Sequence, residues 1–252
     1  MKSTYILGVR IDIVNKEETL KEIQQLAQSS KPSYVVTVNP EHLYDAHYDP
    51  AFKKILNKSN LNLCDGIGVK LASYLFPPVI KEIISGSSIL KDALILSRNN
   101  KHRVLVLVAP NALATKERVE KYLKGELRMP KESTKVILTE DIQSLGVINE
   151  IKSFKPNVTL LTYNHILANT LIQQMVDVGV SGVKMNVGGS FDYLLGLRKN
   201  PPSIFRHFGL EWLYRLLNEP VYRYKRVFKA VILFPLLVLS TKIFLTYPNT
   251  KE

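Results

Sequence analysis

Seven short apolar runs rich in β-branched residues recur along the chain, at Tyr5–Val9, Tyr34–Val38, Leu61–Leu63, Val104–Val108, Val136–Leu138, Val158–Leu161 and Val183–Val187. Each is too short for a helix and is mostly apolar, the pattern of a buried strand. Longer stretches with helical spacing lie between them, among them Lys16–Gln28, Glu41–Leu56 and Leu113–Leu123. Strand alternating with helix predicts an α/β fold: a mainly parallel sheet with helices on both faces. Turn signals such as Lys31-Pro32-Ser33, Phe76-Pro77-Pro78 and Lys155-Pro156-Asn157 fall between the units. The alternation stops at Asn200-Pro201-Pro202, so residues 1–200 are expected to form the main domain and residues 201–252 a helical appendage.

A chain of 252 residues, 46% hydrophobic, can build a sizeable core. Its formal charge of +12 favours phosphate-bearing partners or anionic lipid. The lone Cys64 rules out an intrachain disulfide framework and suits a reducing compartment. The N-terminus lacks the apolar core of a secretory signal, so a cytoplasmic protein is expected. Between Arg198 and Lys229 there are eight basic residues against two acidic ones, Glu211 and Glu219. Phe205, Phe208, Trp212 and Leu216 recur at helical spacing, and Pro220 should interrupt that helix. Arg223, Arg226 and Lys229 follow at intervals of three, with Tyr222 and Tyr224 among them. The uncharged run Ala230–Leu239 comes next, about half of the ~20 residues needed to span a bilayer. Cations, aromatics and a short apolar patch together predict an interfacial anchor on an anionic membrane surface, each basic residue contributing about 1 kcal/mol. Nucleic acid rewards the same residue types, but no helix-turn-helix, RRM or finger pattern is present. The sequence leaves room for a homo-oligomer.

Ligands of open α/β sheets bind beyond the carboxyl ends of the strands. Three strand ends carry polar residues: Thr37-Val38-Asn39-Pro40-Glu41, Cys64-Asp65-Gly66-Ile67-Gly68 and Gly188-Gly189-Ser190-Phe191-Asp192. Asp65 fits two roles, a general base for an attacking hydroxyl or the N-cap of the following helix. Gly188, Gly189 and Ser190 fit either a backbone cradle for a phosphate or sugar hydroxyl, or an ordinary strand-to-helix turn. Thr37 and Asn39 suit a sugar or nucleotide, and each could equally cap the helix starting near Pro40. Gly66-Ile67-Gly68 is too short for a dinucleotide fingerprint, and the chain has no P-loop and no GxSxG elbow. The histidines at 42, 47, 102, 165 and 207 lack metal-ligand spacing, so no metal site is expected.

These motifs, with Gly196 and the segments Gly209-Leu210-Glu211-Trp212-Leu213-Tyr214-Arg215-Leu216 and Glu219-Pro220, resemble the WecG/TagA/CpsF family, glycosyltransferase family 26. The match in order and spacing covers nearly the whole chain. The resemblance implies a Rossmann-like domain with no catalytic metal or cofactor, and a C-terminal appendage completing the site at the membrane. It implies inverting transfer of an N-acetylmannosamine-type sugar from a UDP-sugar to a polyprenyl-diphosphate-linked acceptor, at the cytoplasmic face of the bacterial membrane, in cell-surface polymer synthesis such as that of teichoic acid or exopolysaccharide. Asp65 would be the general base, with Thr37 and Asn39 lining the site. Gly66, Gly188, Gly189, Ser190 and Asp192 would contact substrate, and Arg215, Arg223 and Arg226 would meet diphosphate, a task guanidinium forks suit.

Some positions depart from the family pattern. Where it has Glu-Arg-Val-x-Gly and then an acidic residue, this chain has Glu82-Ile83-Ile84-Ser85-Gly86 and Ser88. Val108 replaces the glycine of a Leu-Gly-Ala turn. The run Leu161 to Leu167 replaces Leu-Gly-x-Pro-x-Gln-Glu, with Ile166 in the glutamine position and Asn164 and His165 in the altered loop. These losses fall in the half expected to hold the nucleotide sugar, so a catalytically weakened, membrane-bound scaffold that binds lipid-linked sugar is the alternative expectation.

Overall fold

A computed structural model describes residues 1–139, 145–207 and 209–246. The chain opens with β1 (Ser3–Ile6), β2 (Val9–Asp12), α1 (Lys16–Gln28), β3 (Ser33–Val38), α2 (Pro40–Tyr48), α3 (Pro50–Lys58), β4 (Leu61–Cys64) and α4 (Ile67–Ser73). It continues through α5 (Gly86–Asn99), β5 (Val104–Val108), α6 (Lys116–Lys121), β6 (Thr134–Leu138), α7 (Leu145–Phe154), β7 (Val158–Leu161), α8 (His165–Asp177), β8 (Val183–Asn186) and α9 (Ser190–Leu194). The C-terminal part holds α10 (Ser203–His207), α11 (Glu211–Asn218), α12 (Pro220–Phe228) and α13 (Phe234–Thr246), the last two joined by a π-helical turn, Lys229–Leu233.

Six strands form one parallel sheet in the order β4-β3-β8-β7-β5-β6, with apolar clusters packed on each face. The buried-strand pattern predicts this sheet, whose strands are buried almost throughout, Asn62 of β4 and Lys184 of β8 included. Tyr5–Val9 is the exception. Leu7 and Gly8 both adopt positive φ (52° and 80°), the geometry of a tight hairpin turn, so the run folds back as the antiparallel pair β1–β2, separate from the main sheet. The expected single helix Glu41–Leu56 is also two helices. Pro50 cannot donate a backbone hydrogen bond, and Asp49 caps α3 by accepting from the amides of Ala51 and Phe52.

Strand register brings the candidate residues together. Val38 pairs with Cys64 and the Asp65 N–H donates to the Val38 carbonyl at 2.8 Å, so Asn39 and Asp65 leave the sheet side by side. Leu161 pairs with both Leu107 and Asn186, which sets the loops after β5, β7 and β8 along the same edge.

The C-terminal helices close over that edge. Phe234 and Val238, 1% and 3% exposed, enter the same apolar cluster as Val69 and Ala72 of α4. Two carboxylates one turn apart on α2 hold the other side: Glu41 Oε2 accepts from Arg226 Nε (2.8 Å) and Nη2 (2.6 Å), and Asp45 Oδ1 accepts from Lys229 Nζ (2.7 Å). The expected anchor is thereby corrected in part, because Arg226 and Lys229 face the main domain and not outward. The outward face is apolar instead: Val221, Tyr224, Phe228, Ile232, Leu236, Leu239 and Ile243 are exposed at spacings of three or four. No helix among the described residues is long and apolar enough to cross a membrane. Of the aromatic stripe, Phe205 packs its ring on Tyr214 (5.4 Å) and Trp212 and Leu216 are half-buried, while Phe208 lies outside the described residues.

Candidate active site

A cleft of about 890 Å³ runs along the carboxyl edge of the sheet, walled by the loops after β3, β4, β5, β7 and β8 and by α11 and α12. Thr37, Asn39, Asp65, Gly188, Gly189, Ser190, Asp192, Arg215, Arg223 and Arg226 all line it. Gly66 is the one sequence-predicted residue that does not. It opens α4 at φ 101°, a conformation that favours glycine, and supplies no side-chain cap. Asp65 therefore precedes the cap position, and its carboxylate does not cap α4.

The Asp65 side chain keeps contact with the cleft but is densely surrounded by protein. Burial pushes its carboxyl up to about 6, Arg215 pulls it back down, Glu211 raises it and Arg226 lowers it. A carboxylate in this range is a better proton acceptor than an ordinary surface aspartate and is still ionised at neutral pH.

The remaining polar residues are largely fixed by local bonds. Asn39 is the N-cap of α2, its Oδ1 accepting from the amides of Glu41 (2.9 Å) and His42 (3.1 Å). Thr37, one pleat earlier on β3, is half-buried at the cleft wall. Gly188 takes φ 48° and an added Cβ there would meet open space, so its backbone borders the cleft directly. Ser190 donates its hydroxyl to the Val187 carbonyl. Asp192 Oδ1 accepts from the Ala114 amide (3.0 Å) and Oδ2 faces Arg198 Nε (3.4 Å), which ties the loop before α6 to α9.

The three arginines reach the cleft from two helices. Arg215 lies over the Tyr193 ring at 4.9 Å with Glu211 one turn away (3.7 Å). Arg223 donates to Glu219 Oε2 at 2.6 Å, and Arg226 forks onto Glu41. Each guanidinium is thus held beside a carboxylate that keeps it extended at the cleft.

The residues that depart from the family pattern are accommodated in two ways, by apolar packing and by helix capping, except Ile166. Ile83 packs against the apolar cluster, Val108 is buried as the last residue of β5, and Ser88 completes a reciprocal cap with Ser85 at the start of α5. Asn164 caps α8 by accepting from the Leu167 amide (3.0 Å), and Ile166 is exposed. His165 Nε2 lies 2.7 Å from Asp45 Oδ2, and its ring faces His42 at a centroid distance of 4.6 Å. Burial alone would raise the Asp45 carboxyl, but the bonds from His165 and Lys229 hold it below its ordinary value. Glu41 and His42 also line the cleft, and sequence reasoning did not single them out: the histidines showed no metal-ligand spacing, and Glu41 was read only as part of the polar strand end that opens α2.

The pattern that defines the Glycosyl transferase WecG/TagA/CpsF family matches residues 4–247, and the chain belongs to that family. It is similar to a Staphylococcus aureus protein named N-acetylglucosaminyldiphosphoundecaprenol N-acetyl-beta-D-mannosaminyltransferase, with 28% identity over 237 residues, or 87% of this chain and 90% of the relative. A Bacillus spizizenii protein of the same name is 28% identical over 200 residues, 79% of this chain and 76% of the relative.

The raised Asp65 pKa has a consequence for stability. Between the unfolded value near 3.8 and the folded value near 6, the folded state holds a proton that the unfolded state has lost, so stability falls as pH rises through that window. Asp65→Asn is expected to stabilise the fold at pH 7 by roughly 1–2 kcal/mol, less than the full shift implies because water enters the cleft. Urea unfolding at pH 7 and pH 4 checks this: the gain should shrink towards zero at the lower pH.

Proposed function

We propose that this chain is an inverting glycosyltransferase that moves an N-acetylmannosamine-type sugar from a UDP donor to a polyprenyl-diphosphate-linked sugar. The observation that carries the reading is the meeting, in one cleft, of the Asp65 carboxylate with Arg215, Arg223 and Arg226. The family and the names of the relatives support the same reaction. Asp65 takes the proton from the acceptor hydroxyl as its oxygen attacks the anomeric carbon, and the bond to the UDP oxygen breaks on the opposite side. The three guanidinium groups and the backbone at Gly188 and Gly189 offset charge growing on the departing diphosphate. Thr37 lines the cleft wall, and Asn39 sets the start of α2 beside it. No metal or other cofactor takes part in this scheme.

The appendage, residues 201–252, places the cleft at its lipid-linked substrate. Its exposed apolar stripe rests in the interfacial region of an anionic membrane at the cytoplasmic face, and the remaining surface lysines and arginines add electrostatic attraction.

Asp65→Asn is expected to lower kcat about 10²–10⁴-fold on UDP-sugar and a short-chain prenyl-diphosphate acceptor, with the fold intact. Full turnover by that variant would defeat the base assignment. For the membrane, Leu236→Glu with Leu239→Glu should reduce flotation with anionic liposomes while sparing transfer to a water-soluble acceptor. Removing the whole helix would be a poorer test, since Phe234 and Val238 belong to the core. Unchanged flotation of the double variant would refute the membrane reading.

A further inference from the structure

His42 is 5% exposed, lines the cleft, and has no part in the scheme above. Its ring is held on three sides. Phe52 stacks on it at 6.1 Å and 26°, His165 faces it at 4.6 Å, and Nδ1 lies 2.8 Å from Asn39 Oδ1. That amide oxygen is identified by the two backbone N–H groups it accepts. An oxygen of this kind cannot donate, so Nδ1 carries the proton. The Asn39 backbone N–H approaches the same nitrogen only at 3.4 Å, too long to be the principal contact.

Burial, reinforced by His165 and then Arg226, holds the imidazole well below its ordinary value of 6.5, so it is neutral at pH 7. A neutral ring protonated at Nδ1 has a lone pair at Nε2. Among the described residues no hydrogen bond reaches Nε2, and the residue lines the cleft. A lone pair in a cleft suits a ligand that donates. Sugar hydroxyls donate; ionised phosphates, which the arginines suit, do not.

We propose that His42 is a specificity residue of this cleft, its Nε2 accepting a hydrogen bond from one hydroxyl of the bound sugar. Asn39 fixes its tautomer, and His165, itself braced by Asp45, fixes its plane. The assignment rests on the glycosyltransferase reading for the nature of the ligand, and it deepens that reading by naming a residue that reads a sugar hydroxyl.

The test compares wild type, His42→Leu and His42→Gln against the UDP-sugar, the short-chain lipid-linked acceptor, and the monodeoxy analogues of each sugar. Binding is measured by calorimetry and KM and kcat by transfer. Wild type should bind one monodeoxy analogue roughly tenfold more weakly than its parent. His42→Leu should lose that discrimination, with KM for the parent rising far more than kcat falls, whereas His42→Gln, whose amide oxygen can replace Nε2, should retain much of it. Loss confined to donor analogues assigns the hydroxyl to the donor sugar, and loss confined to acceptor analogues assigns it to the acceptor. Discrimination unchanged in His42→Leu, or absent in wild type, overturns the proposal. Because binding is read without turnover, hydroxyl discrimination with no transfer would refute the transferase reading alone.

Discussion

Docking of the C-terminal helix onto α2 and α4 makes the cleft a distinct chemical environment. Apolar burial of Phe234 and Val238 supplies the non-directional part of that docking, and the Glu41–Arg226 and Asp45–Lys229 pairs supply its register. Either alone would be insufficient. Half-buried ion pairs contribute modestly once desolvation is counted, whereas an apolar contact without them would leave the rotation of the helix poorly fixed. Together they set Arg226 near Asp65, close enough to influence its charge.

Two opposing effects then act on Asp65. Burial alone would favour the neutral acid, and the arginines pull the carboxyl back towards ionisation. The balance leaves a carboxylate that is ionised at neutral pH but more basic than usual, at a cost to the stability of the fold. Such a cost is commonly found where a group is held for reaction and not for packing. The same economy governs His42, which burial keeps neutral and Asn39 keeps in one tautomer.

Much of this arrangement was legible in the sequence. The six parallel strands could be read because doubly buried strands are short, largely apolar runs, and the polar residues that close them pointed to the cleft edge. The hairpin β1–β2 was hidden because Leu7-Gly8 is not one of the usual two-residue turn pairs. The break between α2 and α3 did carry a local signal, Asp49-Pro50, which helical spacing on both sides masked. The links from α2 to the C-terminal helix and to His165 join residues 120 to 185 positions apart, and no local pattern encodes pairings at that range. For the same reason the inward direction of Arg226 and Lys229 could not be read from their spacing. Only packing decided that the apolar side chains, and not Arg226 and Lys229, face away from the domain.

The central claim is that the strand-end carboxylate and the appendage guanidinium groups act on one another across a single cleft. The acid limb of the pH–rate profile in Arg215→Gln tests it most directly. Arg215 lowers the Asp65 carboxyl, so removing its charge should move the acid limb of kcat/KM, which reports the free enzyme, to higher pH. A limb that stays where it is in the wild-type protein would contradict the account, because the two groups would then not share an electrostatic environment.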